Sequence, residues 1–273
     1  MKFEEILLFI LCIILIYNLS QDCSKQTEYM INVTPIKDTA KWKRNPKCEY
    51  IMSKSITEVV GTDNFEDIDE DDWDVYFPCT YNEIQDEIDL IDSNNDNQRM
   101  FIIDNADELS SKDSIWKNIV NKFGYEKAAT IMPKTYDLSN TDEIEKFKNE
   151  YNTDMIYILK KNIQRQEGLK ITQDKNEILK GYDDDYVVVQ ELLQDPYIID
   201  NRKINLRCYI LIMCKDGETE GYVFSNGFMY YTKVPYKKGS LDHDVNVTTG
   251  YIDRSVYDKN PLTYEQLLTY LGN

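Results

Sequence analysis

An α+β fold is the class this sequence predicts, and two observations carry it. Between residues 155 and 234, apolar and β-branched runs recur at hairpin spacing, the pattern of a mostly antiparallel sheet. Ahead of them, residues 114–123 and 139–151 repeat apolar side chains every three or four positions, the period of a helix. With 273 residues the chain can bury a sizeable core, in one large domain or two smaller ones. Tyrosine is abundant while glycine and proline are sparse, a composition that does not read as disordered.

Ile6 to Tyr17, "ILLFILCIILIY", is an uninterrupted apolar run of twelve residues within a segment spanning 1–20. A membrane span takes about 20 apolar residues, and a signal peptide usually shows a basic start and a small-residue cleavage site. Glu4 and Glu5 precede this run, and no A-x-A pattern follows it. The expectation is an uncleaved single-pass membrane anchor with a cytosolic body. A cleaved signal, leaving a secreted or lumenal body, and a buried N-terminal hydrophobic helix are the alternatives. Residues 21–72 read as a polar and acidic linker, with "KWKRNPK" as a solvated cationic turn and "TDNFEDIDEDDWD" as a solvated acidic loop. That acidic run lacks the glycine and closing glutamate of a calcium loop.

From Trp73 the pattern becomes globular, and residues 73–154 read as an N-terminal lobe. "WDVYFPC" is strand-like, and "MFIID" reads as a buried strand. Ile115, Ile119 and Phe123 mark one helix; Ile144, Phe147 and Tyr151 share the face of another, for which Ser139 is the expected cap. Residues 155–273 read as a central sheet lobe. Its strands are "MIYILK", "YVVVQELL", "LRCYILIM", "GYVF" and "FMYYTKV", and Thr263 with Gln266 forms a capping box for a helix that Gly272 ends.

Charge and thiol chemistry exclude several function classes. Forty-nine acidic against 31 basic residues give a formal charge of -18, which repels nucleic acid. The six cysteines contain no CxxC pair and the single histidine, His243, lies among acids in a polar loop, so no zinc site is expected. Cys208 and Cys214 read as one strand, about 20 Å apart, too far to bridge.

Two stretches place cations with purpose. Lys160 ends a strand and opens "KNIQRQEGLKI", a loop with Gly168 near its tip; the lysine offers point charge and the loop offers backbone N–H donors, the parts of a phosphate clamp. In "DPYIIDNRKINLRCYILI", Lys203, Asn205 and Arg207 fall in a polar turn between apolar runs, suited either to an anion or to a solvated edge.

The order of these pieces resembles the tubulin–tyrosine ligase-like family of ATP-grasp enzymes, roughly from Trp73 to Tyr257. "MPKTY" is similar to the family's Pro-x-[ST]-[FY] segment, and "YILKKNIQRQEGLKI" to its "W-I-x-K-P…G-x-G-I" strand and loop. "VVVQELLQDPYIIDNRKINLRCYILI" resembles "V-x-Q-x-Y-I-x-x-P-L-L-I…K-F-D-L-R-x-Y-V-L"; "SNGFMYY" stands for "D-G-L-x-R" and "NVTT" for "H-L-T-N". The resemblance implies an ATP-grasp-like fold and an ATP-dependent carboxylate–amine ligase, which activates a protein carboxylate as an acyl phosphate for attack by an amino acid. It implies ATP and Mg²⁺ as cofactors. It also implies Lys160 on the phosphates, Gly168 in the loop over them, and Gln190, Glu191, Leu192 and Leu193 as the hinge that receives adenine. Lys203 and Arg207 would face the reacting phosphate.

Departures accompany the match. The family's aspartate between Lys203 and Arg207 is Asn205, the arginine of "D-G-L-x-R" is Tyr230, and the histidine and asparagine of "H-L-T-N" are Asn246 and Thr249. Gln166 stands where the loop usually has glycine, and no acidic E-x-N segment for magnesium occurs before Asn273, so no metal ligands are assigned. The alternative reading is therefore a catalytically inactive, membrane-tethered relic or scaffold with at most weak nucleotide binding. The expected partners are ATP, a membrane through the N-terminal segment and a protein carboxylate substrate. A polyanionic tubulin tail suits so acidic a chain poorly.

Overall fold

The computed structural model describes residues 40–44, 65–67, 73–77, 98–101, 103, 106–163, 167–215 and 218–272. They fall in two units, Met1–Asp104 and Asn105–Asn273. One expectation is corrected at once: among the described residues no helix is long and apolar enough to cross a membrane. Twelve apolar residues fall short of the length a span takes. Residues 1–20, where the N-terminal helix was expected, lie outside the described residues. The single-pass anchor is not retained, and the cytosolic placement that rested on it falls with it.

In the N-terminal unit, β1 (Ala40–Arg44), β2 (Phe65–Asp67), β3 (Val75–Phe77) and β4 (Arg99–Met100) form a parallel sheet in the order β2-β1-β3-β4. "KWKR", expected as a solvated turn, is therefore strand. Its alternation buries Trp42, which meets Phe77 edge-on at 6.1 Å, while the flanking lysines point away. From "MFIID", Met100 ends β4, and Phe101 is exposed rather than buried.

The C-terminal unit is built on a four-stranded antiparallel sheet, β5 (Thr135–Asp137), β8 (Val188–Glu191), β6 (Tyr157–Lys160) and β7 (Leu169–Thr172), in that order. Period-two alternation gives each strand two faces. Tyr157, Leu159 and Val189 turn to a core completed by Tyr136 and Phe147; Ile156 and Ile158 turn the other way, with Leu192. Three helices enclose the first face: α1 (Lys112–Phe123), α2 (Tyr125–Ile131) and α3 (Thr141–Glu150). Trp116 of α1 is fully buried, and its indole N–H donates to Glu143 Oε2 at 2.9 Å. The same oxygen accepts from the backbone N–H of Asp137 at 2.7 Å, which ties α1, α3 and β5 together. A short helix α4 (Lys175–Leu179) follows β7.

Asn140, not Ser139, caps α3: its Oδ1 accepts from the N–H groups of Asp142 and Glu143. Ser139 is engaged instead by Asp137 Oδ1, 2.7 Å from its hydroxyl. At the other end of the chain, α6 (Tyr264–Leu271) has the expected Thr263–Gln266 capping box, and Gly272 closes it at φ 84°.

A second sheet runs β14 (Thr248–Thr249), β13 (Phe228–Thr232), β10 (Arg202–Arg207) and β9 (Ile198–Ile199), with helix α5 (His243–Asn246) just before β14. "RKINLR" is thus not a turn but a strand. The turn is Asp200–Asn201, both at positive φ (50° and 61°), the left-handed pair of a two-residue hairpin. The expected single strand "LRCYILIM" breaks after Arg207 and resumes as β11 (Ile210–Lys215), so Cys208 and Cys214 do not share a strand. β11 pairs with β12 (Glu218–Val223) alone among the described residues. This hairpin leaves Ile210 65% and Val223 60% exposed.

Phe147 lies within 5.7 Å, centroid to centroid, of Tyr136, Tyr151 and Tyr157. Phe147→Ala is expected to cost about 3–5 kcal/mol in urea denaturation of the C-terminal unit.

Candidate functional site

A cleft of about 560 Å³ opens in the C-terminal unit where the Ile158–Lys160 face of the first sheet meets β10 and the α5–β14 corner. Apolar side chains, among them Ile158, Leu169 and Leu192, make one part of its wall; three lysines make another.

Lys160 stands at the end of interior strand β6, facing the cleft with Ile158. Its ammonium donates to Gln190 Oε1 at 2.5 Å, and Gln190 Nε2 donates in turn to Thr135 Oγ1 at 2.7 Å. Burial pushes the Lys160 ammonium down to about 8, with the charges of Lys112 and Lys203 adding to the shift. Lys203, on β10, has no hydrogen-bond or ion-pair partner among the described residues, and burial lowers its pKa also.

Lys112 begins α1 and is the cleft residue that reasoning from sequence missed. Its Nζ donates to the carbonyls of Lys161 and Ile163 at 2.7 and 2.8 Å, and its backbone N–H donates to Asn162 Oδ1 at 2.9 Å. Asn162 Nδ2 donates to Asp113 Oδ1 at 2.7 Å. The helix start thereby holds the loop that leaves β6. A signal was present: the helix dipole favours carboxylates in the first turn, so a lysine there opposes helix stability and asks for another explanation.

The remaining predicted residues divide. The loop base is a regular hairpin, with Lys160 opposite Leu169 and the Lys161 N–H donating to the Gly168 carbonyl at 2.9 Å. Gly168 sits at φ +65°, and a Cβ there would lie 2.8 Å from the Lys161 Cβ, so glycine is required; it lies beside the lining, between Glu167 and Leu169. Gln190, Glu191, Leu192 and Leu193 all border the cleft. Glu191 pairs with Tyr157 and shares that strand face, so its carboxyl points to the helical side, where burial raises its pKa against the pull of Lys134. What Glu191 gives the cleft is backbone.

Arg207 is exposed and outside the lining. Its guanidinium stacks over Tyr230, 4.9 Å from the ring centroid, on the same face of β10 as Lys203 and Asn205. Asn205 does border the cleft. Asn246, 3% exposed, donates its Nδ2 to the carbonyls of Ser240 and Asp242, while its buried Oδ1 has no partner among the described residues. Among the described residues no group of three His, Cys, Asp or Glu side chains is placed to hold a metal ion.

This geometry bears comparison with known proteins. The model of the Tubulin-tyrosine ligase family matches residues 90–257, more than half of the chain. The chain belongs to the tubulin-tyrosine ligase family. Relatives within reach of that family include Tubulin polyglutamylase TTLL5 of Mus musculus, 28% identical over 138 residues, 49% of this chain and 10% of the mouse protein. Protein polyglycylase TTLL10 of Macaca fascicularis is 27% identical over 151 residues, 48% of this chain and 23% of the macaque protein. Inactive polyglycylase TTLL10 of Homo sapiens is 26% identical over 151 residues, 48% of this chain and 21% of the human protein. The chain thus spans between about a tenth and a quarter of these relatives' length. A protein named active and one named inactive match this family member about equally, so overall identity does not decide activity; individual cleft residues must.

Lys160 also gives a stability prediction. Its native pKa of about 8 lies below the ordinary lysine value of 10.5, so the unfolded chain holds this proton more tightly. The penalty is complete below pH 8 and is relieved as pH rises toward 10.5. Lys160→Met is expected to stabilise the fold by on the order of 2 kcal/mol at pH 7, after allowing for the lost bond to Gln190. Denaturant midpoints measured from pH 7 to 10 should show wild type closing that gap as pH rises.

Proposed function

We propose that the cleft is the nucleotide site of an ATP-dependent carboxylate–amine ligase that adds an amino acid to a protein carboxylate. The observation that carries this reading is the convergence of Lys112, Lys160 and Lys203 on one cleft in a chain with a large acidic excess. Unpaired, partly desolvated ammonium groups are costly, and a polyphosphate is the ligand that repays them. The residues present fit ATP in kind. Lys112, Lys160 and Lys203 would hold the phosphates, Ile158, Leu169 and Leu192 would cover the faces of the base, and the backbone of Gln190–Leu193 would read its edge. ATP supplies the phosphoryl group that activates a carboxylate as an acyl phosphate, open to attack by an amine.

The chain's own part in such a reaction is charge neutralisation and positioning. Gln190 fixes the Lys160 ammonium by a neutral acceptor, leaving its charge uncancelled. Lys112 holds the first residues beyond β6 through the carbonyls of Lys161 and Ile163. Tyr230 holds the Arg207 guanidinium by stacking.

A second reading has its own support. Asn205, Tyr230 and Asn246 put neutral groups where the family resemblance implies an aspartate, an arginine and a histidine. On that reading the cleft binds nucleotide without turnover. As to the acceptor, the relatives' names include tubulin polyglutamylase, yet a net charge of -18 disfavours an acidic tail at low salt. We therefore place the acceptor carboxylate on a protein surface that is not itself a polyanion.

Calorimetric titration with ATP tests the site. Wild type should bind, and Lys160→Ala or Lys203→Ala should weaken binding by at least about tenfold with the fold retained by circular dichroism. Because a bound anion favours the Lys160 ammonium, affinity should fall by at least about threefold from pH 7.5 to pH 9, as the free site loses its proton. Transfer of a radiolabelled amino acid to protein separates the two readings: incorporation supports the ligase, and binding without incorporation supports the inactive form.

A further inference from the structure

We infer that this cleft takes its nucleoside triphosphate as the metal-free polyanion, with Lys112, Lys160 and Lys203 supplying the neutralisation that magnesium usually gives. The inference rests on the nucleotide reading above. It arises from a mismatch between the cleft and the ion that the family resemblance implies.

Mg²⁺ demands near-octahedral oxygen ligation and is normally held by one or two carboxylates together with substrate phosphates. Two carboxylate residues border this cleft. Glu167 is exposed, on the loop after β6, and Glu191 turns its carboxyl to the opposite side of the sheet. The other side-chain oxygens bordering the cleft are neutral: the amides of Gln190, Asn205 and Asn246 and the hydroxyl of Thr248. Among the described residues no cluster of acidic, histidine or cysteine side chains offers a substitute. The donor set does not fit the metal.

The charges point the same way. None of the three cleft lysines is ion-paired among the described residues, although Lys112 and Lys160 are each held by hydrogen bonds. Lys160 rests on a carboxamide, Lys112 on two backbone carbonyls and Lys203 on nothing. No carboxylate cancels their charge, and in their protonated forms together they repel a divalent cation. The same three charges suit a bare triphosphate, whose own negative charge Mg²⁺ would partly cancel. Adding the metal therefore removes attraction from the anion and adds repulsion against the lysines, with no carboxylate to offset either.

The test is titration of the full 273-residue chain with ATP in excess EDTA and in excess magnesium chloride, at equal ionic strength. The expected result is a dissociation constant in EDTA equal to or lower than that in magnesium, within about threefold. Lys203→Ala should weaken binding in EDTA by at least about tenfold while melting as wild type does. Binding at least about tenfold tighter with magnesium overturns the inference and leaves the nucleotide site standing. Undiminished binding by Lys203→Ala in EDTA also overturns it, since the anion would then lie elsewhere. Absence of binding in both buffers overturns the nucleotide reading itself.

Discussion

A buried cation on a neutral acceptor is the constraint around which the C-terminal unit is arranged. Lys160 ends one of the two interior strands, and its ammonium reaches Gln190 on the other, which is anchored to Thr135 on the edge strand beyond. A carboxylate in place of Gln190 would stabilise the lysine more and would cancel its charge. The carboxamide orients the ammonium and leaves it charged. The cost of burying it falls on the fold, and the aromatic core behind the sheet, with Phe147 at its centre, is where that cost is offset.

Much of this was legible in the sequence because the relevant periods are short. The alternation in "MIYILK" fixed both a strand and the side on which Lys160 lies, and the spacing to Leu169 fixed the hairpin beneath the loop. The capping box at Thr263 needs only four residues to be read. Other features depend on partners distant in sequence. Ser139 and Asn140 are equally competent caps, and the choice turns on Asp137, which claims the serine. The strand Arg202–Arg207 looks like a turn because it carries three cations and an asparagine, and the cleft accounts for one of them, Lys203. Lys112 meets a loop some fifty residues ahead of it, a contact no local pattern contains.

The cleft combines well-supplied binding groups with thin provision for chemistry. On the proposed reading, its lysines, apolar wall and the backbone of Gln190–Leu193 are ground-state features, the parts that would hold a triphosphate. Charge developing in a transition state needs further groups, and the positions where family resemblance implies them hold Asn205, Tyr230 and Asn246. At Tyr230, where the resemblance implies a cation, an aromatic ring instead lies under the Arg207 guanidinium. On the proposed reading, binding and turnover would rest on different residues and could be separated by substitution.

The β11–β12 hairpin carries a consequence for how the molecule behaves in bulk. Among the described residues it pairs with no third strand, and its faces expose Ile210, Leu211 and Val223. Copies meeting through these apolar faces would bury them against one another. What keeps them apart at low ionic strength is mutual repulsion between molecules of charge -18. Colloidal stability of this chain is therefore electrostatic, and concentrated salt, which protects many proteins against association through charge, here removes the barrier to it.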